Sequence, residues 1–200
     1  DEPVKRLLDD IFYKFNEVYQ QNSSLPPGEQ VIDSKYPWYY LNTYVTNTID
    51  GRVYVVDGQQ RLTTLTLILL SLYHNAKAKD SALSDWVKSK IFGQSGYKKT
   101  FWMRHEAHLA TLEALFEEQI DEAPINSGLT AENMVKNYKE IKSWLEQNIE
   151  GKHQLETFIF YFLRRLVLIN LSVEQTDVPM VFEVINDRGV RLKPYEILKG

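Results

Sequence analysis

The chain contains no cysteine. That removes disulfides, thiolate metal sites and cysteine nucleophiles together, and it fits a reducing compartment such as the cytoplasm. Nor is there an apolar run near the roughly 18 residues that a membrane span requires, so no membrane partner is expected. Cations do not dominate: 23 Lys and Arg stand against 27 Asp and Glu, a net charge of −4, which excludes a chain that is basic throughout for wrapping nucleic acid. The four histidines show no His-Asn-His nuclease set, and their placement gives no ground for a Ser/His/Asp triad. The opening Asp1-Glu2-Pro3-Val4-Lys5 is no signal peptide and lacks an initiator Met, so the sequence reads as an excised fragment. The sequons at Asn22 and Asn170 then read as chance, since glycosylation needs secretion. Internal repeats and low-complexity tracts are also missing.

What is present is ordinary globular material, 44% hydrophobic and 25% charged over 200 residues, enough for one domain or a domain with an elaboration. Leu7, Leu8, Ile11, Phe12, Phe15, Val18 and Tyr19 recur at helical spacing and predict a helix over residues 4–21, ended by the Pro26-Pro27-Gly28 loop. Tyr39 to Val45 and Arg52 to Val56 read as strands around an Asp50-Gly51 turn. From Gln59 to Tyr73 the pattern is apolar on nearly every side, the mark of a buried central helix. Residues 81–162 read as wholly helical, in segments near 82–92, 104–121, 131–149 and 152–163, with Gly93–Gly96 a break and Thr130 a cap. A strand over 166–173 follows, then Asp177 as a cap, a helix over 178–185, a turn at Asn186-Asp187-Arg188-Gly189 and a last helix from Pro194. The layout is α+β, with a small mixed sheet core (1–80 and 164–200) interrupted by an all-helical insertion or subdomain (81–163).

Charge is uneven along the chain. Residues 51–100 carry 8 basic and 3 acidic groups and residues 151–200 carry 7 and 6, so an anionic ligand is sought in these two quarters. Lys77, Lys79, Lys88 and Lys90 are read as solvated. Asp57-Gly58-Gln59-Gln60-Arg61 lies between a strand and the buried helix, and it suits an anion for physical reasons. Gly58 permits a tight turn, the first helical N–H groups lack intrahelical partners, and Arg61 adds a bidentate cation. Gln59 and Gln60 can orient water or a base edge, and Asp57 can hold a divalent cation. The bland alternative is a strand–helix turn with a capping Asp57 and exposed glutamines.

A second constellation runs from Phe182 to Lys199. Asn186 and Gly189 would end a helix, and Arg188, Arg191 and Lys193 then crowd one loop; its bland reading is a helix–loop–helix with solvated cations. His105 and His108, three apart, are read as surface residues rather than metal ligands, and His74 and His153 as isolated. Trp102, Trp144 and most tyrosines are read as core. Trp38, Tyr39 and Tyr40 suit either packing or base stacking.

Taken together the motifs resemble a family. Tyr54-Val55-Val56-Asp57-Gly58-Gln59-Gln60-Arg61-Leu62-Thr63-Thr64-Leu65 is similar to the DGQQR signature of the GmrSD-type type IV restriction family, domain of unknown function 262, within the ParB/sulfiredoxin-like superfamily. Phe182-Glu183, Asn186, Arg188-Gly189 and Leu192, closing in Ile197-Leu198-Lys199, resemble its downstream motif in order and distance. The resemblance implies a ParB/sulfiredoxin-like core and an NTP-binding, NTP-hydrolysing regulatory module in a restriction or antiphage protein. It implies a catalytic set of Asp57, Gln59, Gln60 and Arg61, with Gly58, Arg61, Asn186 and Arg188 binding nucleotide and Asp57 holding Mg²⁺. It further implies DNA as a partner of the full-length protein, a C-terminal HNH-type nuclease domain or partner subunit beyond Gly200, and an oligomer as a possibility. The family's first strand would lie upstream of residue 1, so the fragment is expected to be truncated at both ends. No Gly-x-x-x-x-Gly-Lys-Ser/Thr segment exists, so this is not P-loop chemistry. Two rival readings stand beside it: a DNA-binding or modification-sensing module without hydrolysis, and a degenerate scaffold that couples partner domains.

Overall fold

The structure, a computed structural model, describes residues 2–103, 106–125 and 129–188, of which 2, 95, 106, 129 and 186–188 are described by backbone alone. The elements in chain order are α1 (Glu2–Asn22), α2 (Glu29–Lys35), β1 (Tyr39–Ile49), β2 (Arg52–Asp57), α3 (Gln59–Ala78) and α4 (Ser84–Ile91). Then come β3 (Phe92–Ser95), β4 (Lys98–Phe101), α5 (Leu109–Phe116), α6 (Leu129–Asn148), α7 (Gly151–Arg165), β5 (Leu166–Ser172) and α8 (Val178–Arg188). The class is α+β, as the sequence reading holds. The chain divides into two compact units: residues 1–41 with 60–167, and residues 42–59 with 168–200.

The first unit is helical, and its core follows from the apolar stripes. Leu8, Ile11 and Phe15 of α1 are fully buried, as are Ile32 of α2 and Leu155, Phe158, Ile159 and Tyr161 of α7. Phe15 is the hub: it stacks on Tyr19 and Tyr36 and meets Phe158 edge-on at 5.1 Å, arrangements that ring quadrupoles favour. Helix α3 earns its central place by composition, because from Leu65 to Ala76 only Leu69 and Asn75 escape full burial.

The second unit is built on a three-stranded sheet in the order β2-β1-β5. Strands β1 and β2 are antiparallel and joined at Asp50 (φ +49) and Gly51 (φ +75). Two consecutive positive φ values define the I′ hairpin turn, which the Asp-Gly pair supplies at little cost. The buried side chains of Thr46 and Asn47 bind β1 to β5 and the residue after it: Thr46 Oγ1 donates to Asn170 Oδ1 at 2.9 Å, and Asn47 Nδ2 donates to the Val173 carbonyl at 3.0 Å.

Several local expectations are corrected. Residues 92–101 are not helical but form the β3–β4 hairpin, pairing Phe92 with Phe101 and turning at Gly96 (φ +61). Thr130 lies inside the first turn of α6 rather than capping it. The helix expected to stop at Ile185 continues through Asn186 and Asp187 to Arg188, so no turn forms at Asn186. Helix α2 fills a stretch to which the sequence reading assigns nothing.

Candidate functional site

The DGQQR segment falls where a strand becomes a helix. β2 ends on Asp57, Gly58 makes the turn at φ +91, and Gln59 opens α3. A residue with a Cβ is disfavoured at that φ, so glycine is required by the backbone. One feature of this junction could not be read from sequence. Val45 pairs with Asp57 but Thr46 pairs with Val55, so Val56 is an extra residue, a β-bulge directly before the motif. A bulge reverses the alternation of faces at its position and thereby re-aims Asp57.

The side chains divide by environment. Asp57 and Gly58 are half-buried, Gln59 and Gln60 are exposed, and Arg61 is half-buried. Gln59 turns back and donates its amide Nε2–H to the Val55 carbonyl at 2.8 Å, tying the first helical residue to the strand. In the same turn of α3 the Thr64 hydroxyl donates to the Gln60 carbonyl at 2.9 Å. By contact, Asp57, Gly58 and Gln59 belong to the sheet unit and Gln60 and Arg61 to the helical unit. Asn186 and Arg188 close α8 by their backbone, while their side chains and everything from Gly189 on lie outside the described residues. Arg191, Lys193 and the helix expected from Pro194 are therefore outside them too.

A family model, the GmrSD restriction endonuclease N-terminal domain, matches residues 1–200. The chain belongs to that family. A GmrSD N-terminal domain is a component of restriction, and that association holds for this chain. No curated protein matches it.

Other residues of this GmrSD domain resolve differently from their sequence reading. His108 is buried, not on the surface, and His105 lies outside the described residues. No group of three or more His, Asp or Glu among the described residues is placed to hold a metal. His74 and His153 are each held at both ring nitrogens. His74 Nε2–H donates to the Phe116 carbonyl (2.8 Å) while Nδ1 accepts from the Tyr138 hydroxyl (2.6 Å). His153 does the same with the Leu25 carbonyl and the Tyr19 hydroxyl. A carbonyl can only accept, so Nε2 carries a proton in both rings. Burial holds the His74 pKa below the ordinary imidazole value.

Trp144 is buried as expected, donating its Nε1–H to Asp9, but Trp102 is 64% exposed and not core. Trp38 is exposed and carries the Arg165 guanidinium 4.1 Å from its ring centroid, a cation–π contact. No helix among the described residues is long and apolar enough to cross a membrane.

Proposed function

We propose that the loop from Asp57 to Arg61 binds and hydrolyses a nucleoside triphosphate, in a regulatory domain that couples nucleotide to a separate HNH-type nuclease acting on DNA. The observation that carries this reading is the backbone at Gly58, a positive-φ step from a bulged strand end into the first turn of a long buried helix. Peptide N–H groups in that first turn have no intrahelical acceptor and carry the positive end of the helix dipole, which favours phosphate. Arg61 adds a bidentate cation to the same turn.

In this reading Arg61 and the helix N-terminus hold the phosphates, and water attacks the terminal phosphorus as the phosphoanhydride bond breaks. Gln60 orients that water. Gln59, whose amide N–H is engaged with Val55, sets the loop geometry. A single carboxylate suits Mg²⁺, which takes one or two carboxylates and completes its shell with phosphate oxygens and water. Asp57 would hold it, and the cation would neutralise phosphate charge. Asn186 and Arg188 contribute from the second motif. The core of residues 1–80 and 164–200, interrupted by 81–163, belongs to the ParB/sulfiredoxin-like superfamily, and the protein works in the cytoplasm.

Isothermal titration of GTP, UTP and ATP with Mg²⁺ tests the loop. Saturable binding is expected, weakened at least tenfold in Arg61→Ala, and Gln60→Ala should bind nucleotide yet release no phosphate. Binding indifferent to Arg61→Ala sinks the assignment. The rival, DNA contact by the same side chains without hydrolysis, would show instead as salt-dependent DNA affinity lost in Arg61→Ala.

A further inference from the structure

The helical unit contains a cavity of about 510 Å³ beneath the β3–β4 hairpin, within the range of small-molecule sites. Its floor is aromatic. Phe92 and Phe101 lie opposite each other across the hairpin with ring centroids 4.3 Å apart, and Phe116 meets Phe92 edge-on at 4.5 Å. Phe116 is fixed from behind, since Tyr73 stacks on it at 5.5 Å and His74 donates to its carbonyl. The rim is charged with both signs. Lys88 of α4 and Lys99 of β4 line it together with Glu113 of α5 and Glu117, the residue that follows α5, and Lys88 Nζ sits 5.8 Å from the Phe116 ring centroid.

This combination selects a ligand class by elimination. An inorganic anion would meet two carboxylates, and a bare cation two ammonium groups. A purely apolar molecule would cover four charges without hydrogen-bonding any of them. A flat heterocycle with donors and acceptors around its edge satisfies both the aromatic floor and the mixed rim. The hairpin adds to this: Tyr97 at its tip is fully exposed beside Lys98, a stacking surface next to a cation.

We infer that this cavity is a nucleobase site, filled by an unstacked base of a DNA strand or by a free nucleoside. The inference rests on the domain's place in restriction and does not require the triphosphate assignment at Asp57–Arg61.

The probe is 2-aminopurine, whose fluorescence reports its stacking. One arm titrates the free riboside into the chain, and the other a duplex with 2-aminopurine at a mismatch. A saturable fluorescence change is expected, with affinity reduced at least fivefold in Leu109→Trp, which fills the cavity, and in Glu113→Ala, which removes one rim acceptor. Circular dichroism checks that both variants fold, and Mg²⁺–nucleotide titration at the loop should be unchanged in them. A change in the DNA arm alone assigns an extruded base, and one in the riboside arm alone a free nucleoside. No change in either arm, or a change undiminished in both variants, overturns the inference. Failure of the triphosphate reading would show separately, as absent nucleotide binding that Arg61→Ala does not alter.

Discussion

Chemistry at single residues was legible only where a residue type has few uses. Gly58 was readable because glycine is the residue that takes a positive φ without steric cost where a strand turns sharply into a helix, and it has one here. His108 was not, because i, i+3 spacing says nothing about which face of a short turn packs inward. His74 shows what burial does to a titratable group. Its folded pKa is depressed by desolvation, so the unfolded chain binds the proton more readily. Stability from this residue is therefore complete above the unfolded value near 6.5 and declines as pH falls below it toward the folded value. The difference in unfolding free energy between the native chain and His74→Gln should shrink from pH 7 to pH 5 in urea melts. A constant difference would mean that His74 takes up its proton equally in both states. Tyr138→Phe, which leaves Nδ1 unpartnered, should cost about 1–3 kcal/mol.

Among the elements, the long amphipathic helices and the Asp-Gly hairpin were legible because each repeats its signal over several turns or carries a turn-specific pair. The β3–β4 hairpin was not. Its strands have four residues each, too few to show alternation, and the Gly93–Gly96 stretch reads equally well as a break between helices. Contact with Trp102 explains Gly93. A Cβ there would lie 2.3 Å from the indole ring, whose Nε1–H donates to the Ser89 carbonyl at 2.9 Å. In Gly93→Ala the ring must swing away and lose that bond, at about 1 kcal/mol. Lower tryptophan anisotropy together with a lower urea midpoint is the expected outcome, and an unchanged midpoint would show that the contact contributes nothing. The bulge at Val56 lies beyond any single-sequence signal, since it is a property of two strands in register.

For the whole molecule, composition gave the exclusions and the order of predicted elements gave the class, while the partition into units came from contacts distant in sequence. The two units differ in how much apolar surface each encloses. The helical unit closes on fully buried rings such as Phe15, Phe158 and Tyr161. In the other, Val53, Tyr54, Ile169 and Leu171 of the sheet and Met180 and Phe182 of α8 remain exposed. Local opening should follow that contrast. Native-state hydrogen exchange is expected to protect α1, α3 and α7 most and to release β5 and α8 first; equal protection throughout would contradict the partition.

Helix α3 has neither glycine nor proline between Gln59 and Ala78, and its 20 residues span about 30 Å. It lacks the two residue types at which helices most often kink. It therefore behaves as a strut. A displacement imposed at Arg61 would arrive almost undiminished at Tyr73 and His74, and neither end of the helix can be repositioned as though the other were absent.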